Sequence, residues 1–93
     1  MVINMRAIVT VLGKDRVGII ANVCSLLASN DINILDISQT VLQEYFTMVM
    51  LVDTTACPAP FADLAKSLKT RGEEQNLSIR IQREDIFQAM HRI

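Results

Sequence analysis

The feature that most constrains the fold of this chain is the order of its segments with strand-like and helix-like spacing of apolar residues. Stretches with an apolar residue at every second position predict strands, and stretches with apolar residues three and four positions apart predict helices. The order is strand, helix, strand, strand, helix, strand, with no linker, repeat or low-complexity segment between the elements. This order is typical of the split βαβ, or ferredoxin-like, arrangement.

We therefore predict an α+β fold, a ferredoxin-like βαββαβ sandwich in which two helices cover one face of a four-stranded antiparallel sheet. The first strand should be central, in the order 4-1-3-2, because it accepts both right-handed crossovers. A single domain is expected over residues 1–93, with a core over about 5–83 and an amphipathic tail over 84–93 that forms a short C-terminal helix. The predicted strands cover 5–12, 32–42, 45–53 and 77–83, and the predicted helices cover 17–29 and 61–75.

The apolar positions within these elements predict the core. On the first strand the alternation places Met5, Ala7, Val9 and Val11 on the buried face. On the first helix the buried stripe is expected to contain Ile20, Val23, Cys24 and Leu27, widened by Ile19 and Leu26, and Asn30 is expected to end the helix in a left-handed conformation. The alternation slips in the second strand, which predicts either a β-bulge or a strand that is covered on both faces, and Gln43-Glu44 predicts a hairpin.

Composition and charge exclude several classes of function. Half of the 93 residues are apolar, which is not typical of disorder, and a net charge of −1 leaves no basic surplus for nucleic acid. The exposed face of the predicted sheet also lacks the aromatic residues with which such sheets stack RNA bases. Cys24 and Cys57 are expected to be reduced thiols of a cytoplasmic protein, and no apolar run is long enough for a membrane span.

Catalytic and metal-binding residues are also not expected. The single histidine, His91, lies in the tail with no nucleophile or orienting carboxylate nearby, and the carboxylate pairs are adjacent in sequence, as at solvated ends. His91, Cys24 and Cys57 fall on different elements, without the spacing of a metal site. We predict no catalytic residues, no metal and no cofactor.

The turn after the first strand has the local chemistry of an anion site. It begins at Gly13 and leads into a helix whose first amides are free, and such amides attract anions. Asp15 is a candidate helix cap, and Gly18 permits close approach of a ligand because it has no Cβ. The alternative interpretation is structural: Gly13 ends the strand, and Gly18 allows the helix to pack on the sheet.

These residues resemble the ACT domain family. The resemblance rests on the segment GKDRVGIIA at 13–21, on Asn33-Ile34 fifteen residues after Gly18, and on the third-strand residues Phe46-Thr47-Met48 and Val52-Asp53. It covers about residues 5–83, and the tail is similar to those of short stand-alone ACT proteins.

The resemblance implies a regulatory protein that binds an amino acid or a similar small molecule and controls a metabolic enzyme. ACT ligands typically lie between the first loop of one domain and the second strand of a neighbour, so the implied site is formed by Gly13, Lys14, Asp15, Val17, Gly18, Ile19 and Asn33. Val17 stands where the family usually has proline, and Gly13 stands where serine-binding members have a polar side chain, which argues against serine as the ligand.

Two other functions remain open. A structural module could pair with itself or with an enzyme and bind no metabolite. An acylphosphatase-like enzyme would use a similar fold and a loop arginine, for which Arg16 is the candidate, although the surrounding residues do not match that family's motif.

The outer sheet face predicts self-association. It carries Ile8, Leu12, Val49 and Leu51, and together with the apolar stripe of the tail it exceeds what a soluble monomer usually exposes. We therefore expect a homodimer or larger assembly, unless the tail folds back on this face and shields part of it.

Overall fold

The computed structural model describes residues 5–14 and 18–84. The elements are β1 (Arg6–Gly13), α1 (Ile19–Ser29), β2 (Asn33–Leu42), β3 (Tyr45–Asp53), α2 (Phe61–Glu74) and β4 (Ser78–Arg83). This is the predicted βαββαβ order, and most element ends lie within two residues of the prediction. The predicted C-terminal helix lies outside the described residues, except for Glu84.

The sheet is antiparallel with the strand order β2-β3-β1-β4, as predicted. β1 is central and pairs with β3 from Arg6↔Asp53 to Gly13↔Phe46, and with β4 from Ala7↔Arg83 to Leu12↔Ser78. Because both β1 and β2 are antiparallel to β3, they run in the same direction.

The core lies between the sheet and the two helices. Alternate residues of β1, β3 and β4 are buried there: Ala7, Val9, Val11, Phe46, Met48, Met50, Val52, Ile79 and Ile81. The prediction that Met5 belongs to this set is wrong, because its side chain is 43% exposed. Met5 precedes the first pair of the β1 ladder, so it stands at the end of the sheet rather than under the helices.

Helix α1 is rotated relative to the prediction. Its buried residues are Ile19, Val23 and Leu27, whereas Ile20 is 38% exposed and Cys24 is half-buried. Positions 20 and 23 differ by about 60° around a helix, so Ile20 lies at the edge of the buried stripe. The predicted burial of Ile20 is therefore wrong.

The end of α1 also differs from the prediction. Asn30 has φ −102° and is not left-handed; the left-handed residue is Asp31, with φ 58°. The Leu26 carbonyl in the last turn accepts from the side-chain amide of Asn30 at 2.9 Å and from the Ser29 hydroxyl at 2.7 Å. The chain then turns, and the Ile32 N–H donates to the Leu27 carbonyl at 3.0 Å.

Strand β2 forms one edge of the sheet and contains the predicted bulge. The register with β3 shifts between Ile34 and Asp36, which leaves Leu35 as the extra residue. The strand then continues to Leu42, and the Gln43-Glu44 hairpin connects it to β3, with φ 55° at Gln43. Apart from the half-buried Ile34, every residue of β2 is exposed.

Helix α2 packs closely against β4 through Gly72. A Cβ built on Gly72 would lie 2.9 Å from Ile79 Cγ1 and 3.0 Å from the Leu77 carbonyl oxygen. The Leu77 N–H donates to the Gly72 carbonyl at 2.8 Å, so the helix end and the start of β4 are joined at this point. A larger residue at 72 would force the two elements apart.

Candidate ligand-binding site

Gly13 packs against core residues of the two neighbouring elements. It is buried, and a Cβ at this position would lie 2.5 Å from Leu77 Cδ2 and 3.1 Å from Ile19 Cδ1. The absence of a side chain therefore lets the start of α1 and the residue before β4 close over the end of β1. This geometry supports the structural interpretation of Gly13, since any side chain here would require Leu77 and Ile19 to shift.

Gly18 has the conformational role expected of a glycine. Its φ of 76° is left-handed, it is the N-cap of α1, and its carbonyl accepts the Asn22 N–H at 2.9 Å. The nearest heavy atom to a Cβ at this position would be Asn22 Nδ2 at 3.8 Å, so the approach to Gly18 is open. The helix thus begins at Ile19 and not at the predicted Val17, because the left-handed residue 18 cannot be part of it.

The first turn of α1 offers main-chain donors. The side chain of Ile19 is buried in the core, so only its N–H can serve a ligand. No acidic side chain lies in this turn, so the partial positive charge of the helix start is not neutralised from within the helix. Lys14, which directly follows β1, is exposed. Asp15, Arg16 and Val17 lie outside the described residues.

Asn33 lies at the opposite end of the sheet from this loop. It begins β2 opposite Asp53, which in turn pairs with Arg6 at the start of β1. Gly13 ends β1 opposite Phe46, which pairs with Val41 near the end of β2. Eight positions along a strand correspond to roughly 25 Å. The structure therefore does not bring Asn33 and the loop together within one chain.

A polar turn next to Asn33 was not predicted. Asp53 Oδ1 accepts the Thr55 N–H at 2.8 Å, and Thr55 Oγ1 accepts the Met5 N–H at 3.0 Å. The hydrogen bonds from the Thr55 hydroxyl and N–H, with a smaller contribution from the charge of Arg6, lower the pKa of Asp53 below its ordinary value. The signal was present, because an Asp two residues before a Thr after a strand is typical of an Asx turn.

The described residues hold no group of three or more acidic, histidine or cysteine side chains that could bind a metal ion. A cleft of about 270 Å³ between the helices is lined by none of the predicted site residues; it is formed by Asn22, Ser25, Leu26, Ser29, Arg71 and Gln75. No helix in the described part of the chain is both long and apolar enough to cross a membrane.

A family model for the ACT domain matches residues 6–82. The chain belongs to the ACT domain family. It is 53% identical over 89 residues to a UPF0237 protein of Clostridium acetobutylicum, and the match covers 96% of this chain and 100% of that relative. In such relatives the ACT domain is therefore a small protein by itself.

Solved structures agree with this assignment. An ACT domain protein from Streptococcus pneumoniae superposes with a TM-score of 0.80 at 44% identity, over 89% of this chain and 93% of that one. A structure assigned to a glycine cleavage system transcriptional repressor superposes with a TM-score of 0.74 at 25% identity, over 87% of this chain but 46% of the other. ACT domains are commonly regulatory domains for small molecules, and the ferredoxin-like fold predicted for this chain is the fold of the family.

Proposed function

We propose that this ACT domain is a regulatory protein without catalytic activity that binds an amino acid between two copies of the chain. The observation that carries the proposal is the separation of the two halves of the implied site. Gly18 and the start of α1 lie at one end of the sheet, and Asn33 lies at the other. The strand that begins at Asn33, β2, is an edge strand of the sheet.

Two copies would bring these halves to the same end. When two β2 strands pair antiparallel about a two-fold axis, the start of each strand lies near the end of the other. Asn33 of one copy then lies at the end of the sheet where the Gly13–Gly18 loop of the other copy begins. The two-fold axis is perpendicular to the joined sheet, so the helices of both copies remain on one face.

Strand β2 has the properties of a pairing edge. It is ten residues long and exposed on both faces, and its large apolar residues are exposed: Leu35, Ile37, Val41 and Leu42. Edge strands that avoid pairing are usually short or carry lysine or proline, and β2 has neither residue. Pairing centred on Gln39 places Ile37 of each copy opposite Val41 of the other, so apolar residues meet apolar residues.

The chemistry of the two halves suits a zwitterion. The free amides at the start of α1 would bind a carboxylate, and the open approach at Gly18 would admit it. Asn33 is exposed and offers both a donor and an acceptor to orient the amino group and side chain. From the resemblance, Asp15 would accept from the α-ammonium group. The likeness to a glycine cleavage repressor makes glycine one of the first ligands to test.

The first experiment is a thermal-shift screen of the twenty amino acids. A ligand at 100 times its Kd stabilises a protein by about 2.7 kcal/mol. In a domain of this size this raises Tm by at least about 10 °C. The partner would then be sought among metabolic enzymes whose activity changes when the liganded protein is added.

A subunit-mixing experiment tests the shared site. Gly18→Asn fills the approach at Gly18 with a residue that tolerates positive φ, and Asn33→Ala removes the other half of the site. Neither variant alone should bind the amino acid found in the screen. After the two are unfolded together and refolded, half of the dimers are mixed, and about one quarter of the sites should recover. Glu74→Ala, an exposed change on α2, should bind like wild type.

If no sites recover on mixing, the site is not shared between copies. If neither variant loses binding, the site lies elsewhere on the chain. The open β2 edge also favours a second candidate function, a dimeric interaction module that binds no metabolite. That function predicts a stable dimer and no thermal shift with any ligand of the screen. Turnover of acetyl phosphate above background would instead support the acylphosphatase-like enzyme.

A further inference from the structure

The outer face of the sheet, opposite the helices, has an apolar centre. There Ile8, Thr10 and Leu12 of β1 alternate with the buried core residues, and they pair with Leu51, Val49 and Thr47 of β3. Leu12 is 46% exposed and Val49 is 36% exposed, whereas Ile8 and Leu51 are half-buried. Both described helices pack on the other face. This apolar centre is a separate surface from the β2 edge.

The chain reaches the border of this face at the end of β4. Arg6 Nη2 and Glu84 Oε2 form an ion pair at 3.0 Å, and Gln82 lies opposite Ile8. On β4, Gln82 follows the core-facing Ile81, so its side chain lies on the outer face. Glu84 is two positions further and lies on the same face, as does Arg6, which precedes the core-facing Ala7 on β1. Glu84, the last described residue, therefore lies on the outer face beside Arg6, two residues along β1 from Ile8.

The sequence after Glu84 fits the apolar centre in pattern and length. Residues 85–93 place Ile86, Met90 and Ile93 on one side of a helix, with Phe87 beside them. Nine helical residues span about 13.5 Å. The distance from β4 across β1 and β3 to β2 is three strand spacings, or about 14 Å. One helix laid across the strands would thus cover the face from edge to edge.

The charges are also complementary in this direction. At the level of Ile8 and Leu51, the outer-face residue of β2 is Asp36, which is exposed. A helix that starts at β4 ends at β2, where Arg92 would lie near Asp36. The opposite direction is not available, because Glu84 fixes the start of the segment at β4.

We propose that residues 85–93 form an amphipathic helix that packs across the outer face of the chain's own sheet, with Met90 over Leu51. The segment would then cover the apolar centre of this face and leave the β2 edge as the surface for self-association. This inference does not require a ligand, so it stands or fails independently of the amino-acid site.

A double-mutant cycle in the full-length protein tests the contact. Leu51→Ala and Met90→Ala should each lower the urea midpoint of unfolding, and the double variant should lose clearly less than the sum, because the second truncation removes a contact already lost. The control is Gln88→Ala, on the polar side of the same predicted helix, whose effect should add to that of Leu51→Ala. Additive losses for Leu51→Ala and Met90→Ala would overturn the proposal.

Cross-linking then identifies which copy supplies the segment. Leu51→Cys and Met90→Cys are introduced together into a chain that carries Cys24→Ala and Cys57→Ala, and the protein is treated with a short bifunctional maleimide. Cross-linked protein that runs as a single chain on a denaturing gel supports the proposal. A cross-linked pair of chains would show that a second copy supplies the segment, and the absence of a cross-link would show that the segment does not cover this face; either result overturns the proposal.

Discussion

Ile37→Lys tests the pairing of β2 strands most directly. Ile37 lies in the middle of the open edge and is 39% exposed, so the isolated chain should tolerate the change. In the paired dimer the lysine would lie opposite Val41 of the other copy. Ile20→Lys is a matched control, because Ile20 is 38% exposed but lies on α1, away from the edge.

The expected magnitude follows from the exposed fraction. Burying an isoleucine completely is worth about 1.5–3 kcal/mol. With 39% of its surface left to bury, each Ile37 contributes about 0.6–1.2 kcal/mol to pairing. A two-fold interface contains the residue twice, so its loss costs about 1.2–2.4 kcal/mol, or about 8- to 60-fold in the dimer Kd. The cost of desolvating the lysine ammonium adds to this loss.

Sedimentation equilibrium over a range of protein concentrations measures the effect. Wild type should be dimeric, Ile37→Lys should dissociate at concentrations at least about eightfold higher than wild type does, and Ile20→Lys should match wild type. The reasoning is refuted if Ile37→Lys dimerises as tightly as wild type, or if Ile20→Lys weakens the dimer equally. A wild-type chain that stays monomeric at high concentration refutes the pairing itself.

Three further predictions concern the isolated domain and are checked by chemical denaturation. Leu27→Ala should lower the unfolding free energy by about 2–5 kcal/mol, whereas Ile20→Ala should lower it by less than about 1.5 kcal/mol; equal losses would contradict the α1 register. Gly72→Ala should destabilise, because overpacking costs about 1–3 kcal/mol and offsets the helix-propensity gain of about 1 kcal/mol; a more stable variant would show that α2 and β4 separate freely. The lowered pKa of Asp53 means that its stabilising effect is present above the ordinary carboxyl value of 3.8 and is lost as the pH falls below it. Asp53→Asn should therefore show a shallower loss of stability below that pH than wild type, and parallel curves would exclude this role.

The strands could be predicted closely, because successive side chains of a strand point to opposite faces and the apolar alternation in the sequence therefore marks the buried face. β3 was predicted as it is observed, since Phe46, Met48, Met50 and Val52 alternate without interruption under the helices. The bulge in β2 was also predictable, because an extra residue must interrupt the alternation.

The start and rotation of α1 could not be predicted from periodicity. The helix begins after Gly18 because that residue is left-handed, and a backbone angle leaves no trace in an apolar pattern. Ile19, Ile20, Val23 and Leu27 form a stripe wide enough to allow more than one rotation. Packing on the sheet decides that Ile19 is buried and Ile20 is not.

The residues of the candidate site were predicted by resemblance, but their separation follows from topology. β1 and β2 run in the same direction, so a loop that follows β1 and a residue that begins β2 must lie at opposite ends of the sheet. Gly13 shows the limit of resemblance more sharply. The space that a side chain would take at this position is here occupied by the side chains of Leu77 and Ile19.

The exposure of β2 gives the strongest reason to connect self-association with ligand binding. Among the described residues, nothing buries the inner face of β2 beyond Ile34, and the outer-face residues of the strand are exposed as well. A strand that contributes so little to the core of its own chain is free to be selected for pairing. Pairing about a two-fold axis would also align the ends of the two sheets, so that the same hydrogen bonds that form the dimer would assemble the site. A ligand that bridges Asn33 of one copy and the α1 amides of the other should therefore tighten the dimer, and by linkage the dimer Kd should fall as the amino acid is added.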